Sequence, residues 1–285
     1  MGRKKHSIQK EIFSFLILFA FSSNLSSDIE DNIALHKEQF SEVALKIWEY
    51  AELGYQETKS SNLLASELKK EGFKITKGVA GIPTAFIAEF GSSGPVIGIL
   101  GEFDALPGLA QTNSPFKEVA VNDSGGGHAC GHHLFGAASA WAAVSIKEWL
   151  DENDFEGTVR FYGTPAEEGG SGKVYMVREG LFDDVDVVLH WHPDDVNSAN
   201  PKTSNSNKSA KFTFKGISAH AAGSPELGRS ALDGVEAMNM MVNMMREHIP
   251  QESRMHYVIT KGGLAPNVVP DLAEVYYYVR HPEMK

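Results

Sequence analysis

Three histidines and the chain's single cysteine fall within one glycine-rich stretch, GGGHACGHHLF, from Gly125 to Phe135. A thiolate and an imidazole suit borderline divalent metals, and Cys130 and His132 stand two residues apart where glycine lets the backbone fold closely around an ion. A second cluster is GTPAEEGGSG, Gly163 to Gly172. Adjacent carboxylates in such a turn point in different directions, so Glu167 and Glu168 can divide the work of proton acceptor and ligand. A third is LHWHP, Leu189 to Pro193, where His190 and His192 end an apolar run. Taken singly, each cluster also has a plain structural explanation: a buried thiol, a solvated acidic loop, a core histidine. Together they share one chemical theme, metal-assisted hydrolysis.

These clusters must be held by the elements between them. Apolar residues recur at helical spacing in Leu35, Phe40, Val43, Ala44, Ile47 and Trp48, and again in Leu63, Leu64 and Leu68. Strand character follows in Thr84–Phe90, Pro95–Leu106, Thr158–Pro165 and Val185–Pro193, with a long helix over about residues 134–150. That alternation predicts an α/β unit, a central sheet covered by helices, and ligands in such sheets gather at the carboxyl ends of the strands. A composition break at NSANPKTSNSNKSA, Asn197 to Ala210, reads as a linker or domain crossing. Beyond it, a strand, a helix over about residues 230–248 and two further strands predict a smaller α+β unit. The helix carries Met238, Met240, Met241, Met244 and Met245, a stripe expected in the core or, as the alternative, at an adaptable subunit interface.

Composition narrows the class of partner. With 42% hydrophobic residues and 22% charged, the 285-residue chain is an ordinary globular one. A formal net charge of −11 argues against nucleic acid, which needs clustered Lys and Arg. At the N-terminus, basic MGRKKHSIQK, the apolar run Ile12–Phe21 and polar SSNLSS have the order of a signal peptide. About ten apolar residues are too few to cross a hydrocarbon core. Residues 1–27 are therefore expected to be a cleaved leader for secretion or periplasmic export. A membrane tether or a cytoplasmic location is the alternative.

HACGHH, PAEEGG and LHWHP, in this order and at these separations, resemble the zinc-dependent aminoacylase and carboxypeptidase family of amidohydrolases, over nearly everything after the N-terminal segment. The resemblance implies a catalytic α/β domain with a central, mostly parallel sheet at residues 28–205, and a smaller α+β lid and dimerisation domain at 206–285. It implies hydrolysis of the amide bond of N-acyl or N-aroyl amino acids or dipeptides, with two divalent metal ions, Zn or Mn, as cofactors. Cys130, His132 and Glu168 match ligands, Glu167 matches the general base, and either His190 or His192 matches a further ligand, with His190 slightly favoured. In the lid, His220 within GISAHAAGSP matches a histidine that stabilises the oxyanion, and Asn267 and Arg280 match groups that hold the substrate carboxylate. The implied partners are a small-molecule substrate and a second copy of the chain, or a paired hydrolase subunit.

Two departures accompany the resemblance. His133 stands where the family has Asp, and the family's distal ligand histidine has no counterpart before Lys285. The chain is therefore also readable as a truncated, inactive ligand-binding relative. A second alternative, a cysteine hydrolase using Cys130, leaves the paired glutamates unexplained.

Overall fold

The structure is a computed structural model that describes residues 29–122, 124–199 and 204–283. The leader predicted at residues 1–27 lies outside the described residues. Among the described residues, no helix is long and apolar enough to cross a membrane. The chain divides into two compact units, Met1–Val196 and Asn197–Lys285. The division falls at the start of the Asn/Ser/Lys-rich segment, nine residues ahead of the boundary expected at 205/206.

The first unit is built on a five-stranded sheet of order β1-β2-β6-β3-β7, where β1 is Lys74–Lys77, β2 Phe86–Phe90, β3 Val96–Gly101, β6 Thr158–Gly163 and β7 Val187–Leu189. β3 pairs in parallel with both β6 and β7, whereas β2 is antiparallel to its neighbours β1 and β6. β2 alone therefore runs against the other four, so the sheet is mostly parallel, as expected. A small ribbon pairs β4, Leu106–Pro107, with β5, Gly126–Gly127.

Three helices cover one face: α1 (Lys37–Tyr50), α2 (Thr58–Lys70) and α3 (His132–Glu152). Their periodic apolar residues explain the arrangement. Phe40, Val43 and Ile47 from α1, Leu64 and Leu68 from α2, and Ala137, Ala140 and Val144 from α3 close over Phe86, Ile99 and Phe161 of the sheet. The small side chains of α3 let this 21-residue helix lie close to the strands. α4, Gly172–Arg178, buries Met176 with Leu100 and Tyr162 in a second cluster.

The second unit is a three-stranded antiparallel sheet, β8-β10-β9, with β8 Ser206–Lys215, β9 Arg254–Lys261 and β10 Leu272–His281. α5, Ala231–Met245, packs Val235, Met238 and Val242 against Phe214, Ala273, Val275 and Tyr277. Its N-terminus is capped by Ser230, whose hydroxyl accepts from the Asp233 amide. Of the five methionines expected in the core, only Met238 packs there. Met240, Met241, Met244 and Met245 are exposed, because α5 meets the sheet along one narrow stripe.

Two further expectations are corrected. β8 begins at Ser206, inside the segment predicted as a linker, since an exposed edge strand can be as polar as a loop. The last strand of the first unit is three residues long, so His190 and His192 follow it rather than end it.

Candidate metal centre

The polar clusters meet beyond the carboxyl ends of β3, β6 and β7. β3 ends at Gly101 and the chain continues Glu102-Phe103-Asp104, placing two carboxylates on either side of a buried phenyl ring. β6 ends at Gly163, where Thr164 bonds back to the Gly101 carbonyl and starts the turn carrying Glu167 and Glu168. β7 leads into His190, Trp191 and His192. The Phe135 ring, one turn into α3, packs edge-on against all three, with centroids 5.0, 5.4 and 6.1 Å away.

His132 is fully buried and sits between two carboxylates. Its Nδ1 is 3.0 Å from Asp104 Oδ1 and its Nε2 is 3.0 Å from Glu102 Oε2. Burial alone would lower its pKa, but the Asp104 and Glu102 carboxylates outweigh it and push the imidazole up to about 10. Nδ1–H donates to Asp104, which leaves Nε2 turned toward Glu102 and the cysteine turn. His192 follows the same rule: its Nδ1–H donates to the Pro193 carbonyl at 2.9 Å, and its Nε2 faces Cys130 Sγ at 3.4 Å. Between these loops lies Gly131, at φ +78°, where a Cβ would come within 2.9 Å of Pro193 Cβ. Only glycine lets the cysteine turn and the His192 loop approach this closely.

Two overlapping triads result, with donor atoms within 4.8 Å of one another: Cys130, His132 and His192, and Glu102, His132 and Glu167. His132 Nε2 and Glu102 Oε2 are buried and face each other at 3.0 Å as an ion pair, outside hydrogen-bond geometry and with no other partner. A buried imidazole nitrogen facing a carboxylate, with a thiol, a second imidazole and a further carboxylate alongside, is a donor set that fits a divalent metal. Glu102 is further held by the Lys173 ammonium and lies 3.6 Å from His190 Nε2. Burial favours its neutral form, yet His132, His190 and Lys173 hold the carboxyl well below the usual range. Glu167 shifts the other way, raised by burial and by the Glu102 and Glu168 carboxylates. The Cys130 thiol, partly buried and facing Glu168, Glu167 and Glu102, is pushed up to about 12. A thiol that keeps its proton at neutral pH is a poor nucleophile but ionises on ligating a metal.

The structure thus brings together Cys130, His132, Glu167, His190 and His192, and places the Glu168 carboxylate beside Cys130. Both strand-end histidines are near: His192 with Cys130, His190 with Glu102. His133 turns away, stacking edge-on against Trp48 at 4.9 Å beside His128. In the second unit, His220 is exposed and its Nδ1 accepts from the Gly223 and Ala222 amides, which leaves Nε2 outward. The Asn267 carbonyl accepts from the Ala221 amide, so Asn267 stands beside His220. Arg280 lies over the Tyr278 ring near the end of β10, with no contact to either among the described residues.

Glu102, Asp104 and Lys173 escape the sequence reading. The signal was two acids at i and i+2 directly after the apolar run of β3, absorbed there into a longer expected strand.

The fold and this site define a metallohydrolase family. The chain belongs to peptidase family M20/M25/M40, whose profile matches residues 98–273. It is 48% identical over 257 residues to one of the subunits of p-aminobenzoyl-glutamate hydrolase of Escherichia coli (strain K12), covering 90% of this chain and 53% of that protein. It is 31% identical over 261 residues to the Xaa-Arg dipeptidase of Mus musculus, covering 87% of this chain and 56% of that one. The chain spans about half the length of these curated relatives. Among solved structures, a dinuclear metal binding peptidase from the M20 family of Bacillus subtilis superposes with a TM-score of 0.54 at 25% identity, covering 88% of this chain and 65% of that chain.

Proposed function

We propose that the chain carries the metal-binding half of an amidohydrolase that releases an amino acid from an N-acyl or N-aroyl conjugate, aminobenzoyl-glutamate foremost. The observation that carries this reading is the convergence on His132 Nε2 of Glu102, Glu167, Cys130 and His192, whose donor atoms form two overlapping triads within 4.8 Å. The 48% identity to a hydrolase of aminobenzoyl-glutamate supports the substrate class.

In this reading Cys130, His132, Glu168 and His192 would hold metal, with His190 and Glu102 beside them. When bound, two divalent ions, zinc or manganese, supply Lewis acidity toward water and the scissile carbonyl. The chain's own residues handle the proton. Glu167, its affinity for protons raised by burial, accepts one from the attacking water and returns it to the leaving nitrogen. His220 Nε2 is the donor assigned to the developing oxyanion, and Asn267 and Arg280 are assigned to the substrate carboxylate. Pairing through the smaller unit, with a second copy or a companion subunit, and export directed by residues 1–27 complete the proposal.

Elemental analysis of the purified chain beside the double variant Cys130→Ala, His132→Ala tests it. We expect about one to two equivalents of zinc or manganese in the original chain, lost in the variant. Release of aminobenzoate from aminobenzoyl-glutamate, in the presence of metal, is the activity to assay. A metal-free original chain after reconstitution would overturn the reading in favour of a ligand-binding relative.

A further inference from the structure

The turn joining α1 to α2, Glu52-Leu53-Gly54-Tyr55-Gln56-Glu57, holds no ligand and lies outside the three polar clusters, yet it touches both segments that orient the centre. On one side, the Glu52 carbonyl accepts from the Ala105 amide at 2.8 Å, and Leu53 bridges to Ala105, next to Asp104. The Glu52 carboxylate meanwhile caps the start of α2, accepting from the Lys59 and Ser60 amides. On the other side, Glu57 reaches the glutamate turn. Its carboxylate is completely buried, one oxygen accepting from the Ala166 amide at 2.7 Å and the other from the Thr84 hydroxyl at 3.1 Å. The Tyr55 hydroxyl donates to the Gly170 carbonyl at 2.6 Å. Gly54 lies so close that a Cβ there would be 3.2 Å from both Cα and Cβ of Ala166.

This grip falls where the backbone needs it. Ala166 (φ +55°) and Ser171 (φ +56°) are non-glycine residues in the left-handed region on either side of Glu167–Gly170. Such conformations persist only when the surroundings impose them. Relaxing Ala166 would swing the next residue, Glu167, away from His132 and Glu102. It would also break the bond from the Glu168 amide to Asp104 Oδ2, 2.8 Å long, that ties the turn to the residue orienting His132.

We infer that Glu57 is a positioning residue for the metal centre, acting through the Ala166 amide, with Tyr55 as the second point of attachment. The inference rests on the metal-binding function proposed above. A buried carboxylate is used because its oxygens satisfy an amide and a hydroxyl at once, and because α2 fixes its own backbone. Outer partners of this kind govern metal affinity about 10- to 100-fold when removed.

The experiment is metal titration of the full chain, wild type and variants, followed by Zn(II) affinity, by the visible spectrum of the Co(II)-loaded form, and by melting temperature of the apo form. Glu57→Leu removes both acceptors at similar volume, and we expect Zn(II) affinity to fall at least tenfold with an altered cobalt spectrum. Glu57→Gln keeps an acceptor for Ala166 and a donor for Thr84, and should restore affinity to within about threefold of wild type. Equal losses in the two variants would overturn the inference, because charge rather than acceptor geometry would then be the cause. A folded Glu57→Leu with wild-type affinity and spectrum would also overturn it. If Glu57→Leu does not fold, Tyr55→Phe decides. Loss of that exposed hydroxyl should weaken binding about fivefold, the worth of one hydrogen bond, and no change would sink the idea. A wild-type chain that takes up no metal would remove the proposed function itself, and this inference with it.

Discussion

His132 and His128 belong to one motif four residues apart, both are buried, and their surroundings drive them in opposite directions. His132 lies between Asp104 and Glu102 and is pushed up to about 10. His128 donates its Nε2–H to the Ile47 carbonyl at 3.0 Å, leaves Nδ1 buried without a partner, and has His133 5.1 Å away. Burial first, and the His133 imidazole second, lower it to about 4, and His133 falls to about 4 through burial and then the His132 imidazole. The difference teaches that imidazole content does not make a metal site. The carboxylates at the end of β3 set one ring apart, by turning it so that its Nε2 joins Glu102, Glu167, Cys130 and His192. The other two rings are aromatic filling against Trp48.

The strongest way to break this comparison is to delete each imidazole in turn. His132→Ala should weaken zinc binding by about 10³ or more, since a ligand is lost outright, whereas His128→Gln, which can still donate to Ile47, should leave affinity within a few-fold. Calorimetric titration of both variants decides it. Equal losses would mean that His128 is part of the centre.

The comparison is sharpened by counting protons. His132 and Cys130, at about 10 and about 12, both carry protons at pH 7 and must lose them on ligation. Metal uptake should therefore release about two protons and strengthen with rising pH by up to about a hundredfold per unit. Titrations in buffers of different ionisation heat measure the count, and a value near zero would contradict the clamped imidazolium.

A smaller effect concerns stability. The folded-state pKa of His128 lies below its ordinary 6.5, so the folded protein binds fewer protons than the unfolded chain between pH 6.5 and about 4. The contribution of this group is full above pH 6.5 and falls as pH drops through the window, by up to ~3 kcal/mol. Urea unfolding of the apo chain and of His128→Gln, compared at each pH, should show the stability difference between them shift by that amount across the window.

The sequence made the clustered side chains legible because Cys, His and paired Glu are scarce and fall in short motifs, and it made the helices and principal strands legible through their apolar period. It did not separate His132 from its two neighbours, because that depends on acids far earlier in the chain that read as the end of a strand. Nor could it show Glu57, which sits in an ordinary polar turn and acts only after α2 has been placed. The first half of β8, residues 206–210, escaped for a related reason: Ser, Asn and Lys look the same in an exposed edge strand as in a linker.

Gly131 carries a consequence for anyone who would transplant this centre. The short stretch around Cys130 looks like a portable cassette, but the glycine between the two donors is shaped to Pro193, which belongs to a different strand-end loop far along the chain. The smallest unit that could be moved to another scaffold is therefore a set of three strand-end loops with the helix start beneath them, and a host lacking a surface like that of Pro193 would receive the ligands without their spacing.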